Sequence, residues 1–367
     1  MARLSPVERV VLALTALCAA LAGVADYAGW TATLAFGLAT AALAGLAWVV
    51  SLATEQLGQR LGPAATGLLQ ATVANLPELF VVIFALNAGE VVVAQTSILG
   101  SLFANALLVL GLVIVVGSRR EPDRVMRFHP RLPNDTATLL LTTVFIIVLV
   151  GLSLASHDPA SRHVNAVSAI GAGCLLAVYL AWVIPFVRRG GPRGGGFAGA
   201  GAGGAGSEAP GLNGPRMTLR ASLMLLAVSG VGAAFVSDWF IHSLRPTIHR
   251  LHLSQAFAGL VIVAIAGNAV ENIVGIVFAA RGQYELAIAV VKSSVAQIAA
   301  FLFPLVVLCS LPFATSLTFS LAPVYIGALL LMAIAVWQIT GDGEATPFEG
   351  WALIALYVIL AAVTVYE

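Results

Sequence analysis

The chain has 367 residues, of which 60% are hydrophobic and only 10% charged, and its net charge is +1. A soluble domain carries about 25% charged residues, so a soluble globular fold is excluded, and the near-neutral balance provides no basic field for nucleic acid. Apolar runs of about 20 residues recur along the chain, the length of a bilayer-crossing helix; membrane β-strands would be shorter and would alternate polar with apolar residues. The expected fold class is an all-α polytopic membrane protein.

In chain order the pattern predicts eleven spans, at 8–26, 31–53, 63–88, 91–117, 135–156, 165–187, 218–240, 254–280, 284–311, 320–340 and 348–366. The first run is read as a retained helix rather than a signal peptide, because no small-residue cleavage site precedes the second span. Cys18, Cys174 and Cys309 all fall inside apolar runs, with neither metal-ligand spacing nor a loop position where a disulfide is useful. After the sixth span comes RRGGPRGGGFAGAGAGGAGSEAPGLNGPR, a Gly- and Ala-rich stretch without periodicity, expected to be a flexible linker. The predicted organisation is a leading helix (1–30), five helices (31–187), the linker (188–217) and five more helices (218–367).

Arginine placement sets the expected orientation. One side collects Arg3, Arg9, Arg60, Arg119, Arg120, Arg124, Arg127, Arg131, Arg188, Arg189, Arg193, Arg216, Arg220 and Arg281; the other has only Arg162, Arg245 and Arg250. The N-terminus and linker are therefore expected in the cytoplasm and the C-terminus outside, in a plasma membrane of bacterial type. The basic loop from Arg119 to Arg131 fits the same rule and contact with anionic lipid. Gly341-Asp342-Gly343 reads as a turn between the last two spans. His242, His249 and His252 are expected in one external loop, without zinc-site spacing. Asp238, near the end of span seven, reads as a solvated helix end or part of an entry path.

The informative feature is a carboxylate where hydrocarbon is expected. Glu78 lies in ANLPELFVVIFAL, and Glu271 lies in AGNAVENIVGIVFAARG. Asn75 and Asn268 each precede their glutamate by three residues. Gly89 and Gly282 each follow it by eleven, and Ser101 and Ser294 by twenty-three. Asn105 and Gln297 are near-equivalent amides one turn beyond those serines. The copies lie five spans apart, an odd number, which is the mark of an inverted-topology repeat.

Asn and Glu at i and i+3 share a helix face, and inversion brings the two glutamates together near the bilayer midplane. A lone carboxylate there costs at least about 2.5 kcal/mol, and two facing carboxylates repel. A hard cation removes both problems. Carboxylate, amide and hydroxyl oxygens suit Ca²⁺, and protons can neutralise the same oxygens once the cation leaves. Competition of this kind is the minimum mechanism of an antiporter. The alternative reading of these groups is structural, as interhelical hydrogen bonding and packing.

These residues resemble a known family. The stretches NLPELFVVIFALNAGEVVVAQTSILGSLFANALLVLG and GNAVENIVGIVFAARG…SSVAQ are similar to the two α-repeats of the Ca²⁺/cation antiporter superfamily, most of all its cation/proton exchanger branch. The resemblance implies export of cytoplasmic Ca²⁺ in exchange for H⁺ by alternating access, with lipid as the surroundings and no resident cofactor. It implies Glu78 and Glu271 as main cation ligands, with Asn75, Asn268, Ser101, Ser294, Asn105 and Gln297 lining the site. Several positions depart from the family pattern. Leu76-Pro77-Glu78 looks more like the Na⁺/Ca²⁺ exchanger branch, which makes Na⁺ the alternative coupling ion. Asn272 stands where a histidine is frequent, the linker lacks an acidic run, and Ser293 replaces a glycine before Ser294.

Pro77 is expected to break the helix near Val73 and free carbonyls there; the plainer reading is a kink. Lys292, an intramembrane lysine, points about 160° away from Ser294 at 100° per residue. It reads either as a residue of another helix face or as an ammonium replacing one coupling cation. No HExxH or nucleophile–base pair is present, which argues against an enzyme. The symmetry within the chain argues against a channel built on an oligomeric ring.

Overall fold

The computed structural model describes the chain apart from residues 1–3, 62–72, 74 and 189–216, and apart from the side chains of 58–61, 185–188, 270 and 271. The linker and the first half of the third expected span lie outside the described residues. Twelve α-helices are described: α1 (Pro6–Tyr27), α2 (Ala32–Leu61), α3 (Leu76–Asn87), α4 (Val91–Ser118), α5 (Arg131–Ala155), α6 (Val164–Arg188), α7 (Leu219–Leu251), α8 (Gln255–Gly267), α9 (Ala269–Ala280), α10 (Tyr284–Ser310), α11 (Pro323–Thr340) and α12 (Pro347–Val365). Among the described residues nine helices are long and apolar enough to cross a membrane. The expected eighth span is not one rod: α8 and α9 meet at Asn268 with a bend of 58°. Counting the bent pair as one span gives ten among the described residues, and the third expected span is represented there only by the short apolar helix α3, so the expected count of eleven is not reached.

Two predicted ends move outward. Span two continues past residue 53 to Leu61, carrying Glu55 and Gln56 inside the helix. Span seven continues past 240 to Leu251. His242 and His249 are therefore helical, and His252 is the left-handed C-cap (φ 54°), so the expected external loop does not exist as such. Polar residues marked the ends too early in both cases, because a helix extends beyond the apolar stretch as long as its backbone bonds are made.

The repeat is written into the backbone. Asn75 (φ −89°, ψ 11°) and Asn268 (φ −102°, ψ 13°) start α3 and α9, two helices of 12 residues each. Both helices end in a turn with glycine at positive φ, Gly89 at 79° and Gly282 at 78°. The helices that follow, α4 and α10, each loosen into a π-helical turn, at Ala104–Val109 and Ile298–Leu302. The π turns, each wider than an α turn, fall directly after the site serines and near the amides Asn105 and Gln297.

The inversion is equally explicit. The Gly282 turn lies at the end of the bundle where Arg120 donates to Ala280 O, Tyr284 Oη donates to Glu121, and β1 (Met126–Arg127) pairs with β2 (Glu344–Ala345). The Gly89 turn lies at the opposite end, where Glu90 meets Arg245 and Gln255 and Thr315 donates to Leu86 O. Gly341-Asp342-Gly343 forms the expected turn, with Gly343 at φ 84°.

Packing follows from small residues. A β-carbon on Gly100 would stand 2.3 Å from Leu260 O, and one on Gly259 would stand 2.0 Å from Thr96 Oγ1, so α4 and α8 cross in close backbone contact, as membrane helices do where side chains are small. α4 and α10 form the buried centre, α2 packs against α7, and α1 packs on α2. α1 is thus part of the bundle. The three cysteines are free.

Candidate cation site

Breaking α8 and α9 at Asn268 exposes main-chain groups and turns a side-chain amide inward. Asn75, which starts α3, has nearly the same backbone conformation as Asn268. Pro77 occupies the first turn of α3, where its missing N–H costs nothing, and Leu79 N bonds Asn75 O at 2.9 Å. The equivalent position before Glu271 is Val270, and α9 starts without a proline. Proline therefore accompanies the start of α3, and the matching start of α9 does not require one. Residue 74, one of the two expected to free a carbonyl, lies outside the described residues.

Glu78 is 8% exposed. Its Oε1 accepts from Ser101 Oγ at 2.7 Å and from Asn268 Nδ2 at 2.5 Å. Asn268 Nδ2 also lies 2.9 Å from Ser101 Oγ and 2.9 Å from Ala264 O. Asn105 Nδ2 donates to Asn268 Oδ1 at 3.1 Å and to Ser101 O at 3.0 Å. Glu78 and Ser101 come from one repeat and Asn268 from the other, so the cluster is assembled across the repeat interface. Asn105 reaches Glu78 only through Asn268 and the serine.

The second amide pair is the mirror of the first. Asn75 Nδ2 lies 3.4 Å from Gln297 Oε1, joining the asparagine that starts α3 to the amide just before the π turn of α10. The extra methylene of Gln297 compensates for its place one residue earlier than the strict equivalent of Asn105. Ser294 is buried on α10, one turn before Gln297. Glu271 lies in the first turn of α9, at the place equivalent to Glu78 in α3; its side chain lies outside the described residues. Asn272 follows it, with a buried Oδ1 that accepts no hydrogen bond among the described residues.

Lys292 is 1% exposed, and its Nζ has no hydrogen-bond partner among the described residues. It shares a face with Ala296, four residues on. Ala296 packs with Leu139, Tyr179 and Val183 of α5 and α6, away from Ser294 and Gln297. The equivalent residue in the first repeat is Leu99, wholly buried. At the α3–α4 end, His242 lies 3.8 Å from Asp26 and 3.9 Å from Asp238, so Asp238 belongs to a surface cluster with α1.

Sequence reading passed over two buried carboxylates. Glu55 sits inside α2, beyond the end assigned to that span; the uninterrupted helical run through Thr54-Glu55-Gln56 was the available signal. Glu90 is also buried: it accepts from Arg245 and, at 3.0 Å, from Gln255. Nothing in its sequence neighbourhood marks those distant partners.

Inverted helical repeats that bury a carboxylate and amides at the starts of α3 and α9 define a secondary transporter rather than an enzyme. A family model described as "Sodium/calcium exchanger protein" matches residues 31–187 and 221–366. The vacuolar calcium ion transporter of Schizosaccharomyces pombe is 31% identical, over 94% of this chain and 82% of that one. The Ca²⁺/H⁺ antiporter ChaA of Bacillus subtilis is 26% identical, over 96% and 98%. The solved structure of native YfkE shares the fold, with a TM-score of 0.79 at 24% identity over 97% of this chain and all of that one. The chain belongs to the sodium/calcium exchanger protein family, and it is an integral membrane transporter.

Proposed function

We propose that the protein exports Ca²⁺ from the cytoplasm in exchange for H⁺, by alternating access at a site in which Glu78 and Glu271 supply the carboxylates. The observation that carries this reading is the Glu78 carboxylate, held in the protein interior by a serine of its own repeat and an asparagine of the other. Asn75, Asn268, Ser101, Ser294 and Gln297 complete an oxygen-rich lining suited to a hard cation. The curated relatives named above are a calcium transporter and a Ca²⁺/H⁺ antiporter, which supports this cargo.

The chemistry is competition for carboxylate oxygens. Protons entering from the outer side neutralise the glutamates and release Ca²⁺; their departure to the cytoplasm restores the charge that draws the next ion. Pro77 and Asn272 border the site and modulate it. The arginine distribution supports a cytoplasmic N-terminus and linker with an external C-terminus.

The test uses everted vesicles holding an inward-acid pH gradient, without Na⁺, followed with a pH dye. Addition of Ca²⁺ is expected to collapse the gradient promptly, and Glu78→Gln and Glu271→Gln are each expected to abolish the response while leaving the protein inserted. No response in the unaltered protein, with exchange appearing once a Na⁺ gradient is supplied, would replace H⁺ by Na⁺ as coupling ion.

A further inference from the structure

The hydrogen bonds around Asn268 fix which way its amide faces, and that direction is wrong for a cation ligand. Oxygen and nitrogen of an asparagine are assigned from their partners. Here the partners leave no choice. Nδ2 faces Ala264 O, a backbone carbonyl that can only accept, and rests on Glu78 Oε1. Asn105 is fixed in the same way, because its Nδ2 faces Ser101 O. Asn268 Oδ1 is therefore turned away from the carboxylate and occupied by Asn105 Nδ2. An amide N–H₂ rests on the oxygen that a cation would take.

This arrangement leaves one group unsatisfied. Asn105 Oδ1 is buried and has no hydrogen-bond partner among the described residues, and such a group is costly. If both amides turn over, Asn268 Nδ2 meets Asn105 Oδ1 and satisfies it, while Asn268 Oδ1 turns to Glu78 and the cation. The bonds to Ala264 O and Ser101 O are then lost. Each orientation thus satisfies what the other leaves open, which is the condition for a two-state element. The Asn75–Gln297 pair has no such lock: its one contact is long, and no backbone carbonyl is bonded to either amide nitrogen among the described residues.

We propose that Asn105 and Asn268 form an amide switch, in which the Asn268 N–H₂ stands in for the cation on Glu78 and Asn105 is the positioning residue that holds it there. The switch rests on the proposed cation site. Loading requires Asn268 to present Oδ1 in place of Nδ2, so the apparent affinity is lowered by the fraction of protein in the turned orientation. Unloading is assisted by the same step: as the cation leaves, the amide returns and the carboxylate is never bare. Asn105 acts through Asn268 and does not itself bind the ion.

A positioning role and a ligand role predict opposite signs. Ca²⁺ is titrated calorimetrically into the purified full chain, its Asn105→Leu and Asn105→Ala variants and Glu78→Gln, with melting temperatures recorded for each. Asn105 makes two bonds in the resting orientation, to Asn268 Oδ1 and Ser101 O, and one in the turned orientation, so its removal weakens the resting orientation more and is expected to tighten Ca²⁺ binding several-fold. In vesicles the KM for Ca²⁺ falls correspondingly, and kcat does not rise. Binding that is weakened or unchanged in a folded variant overturns the switch and leaves the cation site standing. Binding absent from the unaltered protein, which then matches Glu78→Gln, overturns the site and the switch together. Two substitutions of different size guard against the case where one fails to fold.

Discussion

Gly267 leaves room for Glu78 and for nothing else. A β-carbon there would stand 3.0 Å from Oε1 and 3.1 Å from Cγ of the glutamate, which Ser101 and Asn268 hold in place. Gly267→Ala must therefore displace the carboxylate or break one of those bonds. Exchange is expected to fall about tenfold, the equivalent of roughly 1.4 kcal/mol, with insertion unchanged. The check is the vesicle assay normalised to inserted protein; full activity would mean that this glycine does not set the carboxylate's position.

Lys292 presents a different test. A buried lysine without a partner among the described residues is a liability to folding, and its counterpart Leu99 provides the apolar solution at the same place. Lys292→Leu is expected to stabilise the protein by about 1–3 kcal/mol, read as a higher melting temperature. Its face is turned toward α5 and α6, so Ca²⁺ affinity and the pH dependence of exchange should stay as they are. A change in either would assign the ammonium to coupling instead.

The pair Glu90–Arg245 ties α7 to the turn between α3 and α4. Glu90 is buried, while the Arg245 side chain is 62% exposed, so solvent screens much of the attraction. Arg245→Ala is expected to cost only about 1 kcal/mol, because Gln255 still satisfies Glu90. Adding Glu90→Gln should recover part of that loss by removing the buried charge. Melting curves of the single and double variants decide it; an additive loss would exclude the coupling.

At the other end, Asp123 is held below its ordinary carboxylate value, first by the Arg127 guanidinium and then by the amide of Val125. A depressed carboxylate contributes stability that is fully present above its unfolded pKa, near 3.8, and is lost as pH falls through the lower folded value. The clasp of β1 on β2 should therefore stay closed at neutral pH and loosen only below about pH 4. Hydrogen exchange at the Phe128 amide, which bonds Gly343 O, measures it; loosening between pH 7 and 5 would place the control elsewhere.

Much of the architecture was legible because a membrane imposes it. Long apolar runs must be helices, since lipid offers backbone groups no partner, and two glutamates at matched spacing in such runs reveal an inverted repeat. The boundaries at Leu61 and Leu251 were not legible, because hydropathy marks where lipid stops and not where the helix does. Nor was the break at Asn268, which carries no proline. It is held by contacts made from α4.

The sequence by itself determined the membrane class, the repeat and the residue types of the candidate site, since each of these is a matter of composition and spacing along one chain. Tertiary structure decided which residues meet: that Asn268 serves Glu78 of the other repeat, that Asn105 stands behind it, and that Glu90 finds Arg245. These partners lie far apart in sequence, and no local periodicity encodes a contact made only when two inverted halves close on each other. The direction of an amide is further removed still, because two backbone carbonyls fix it, and carbonyls have no letter in the sequence.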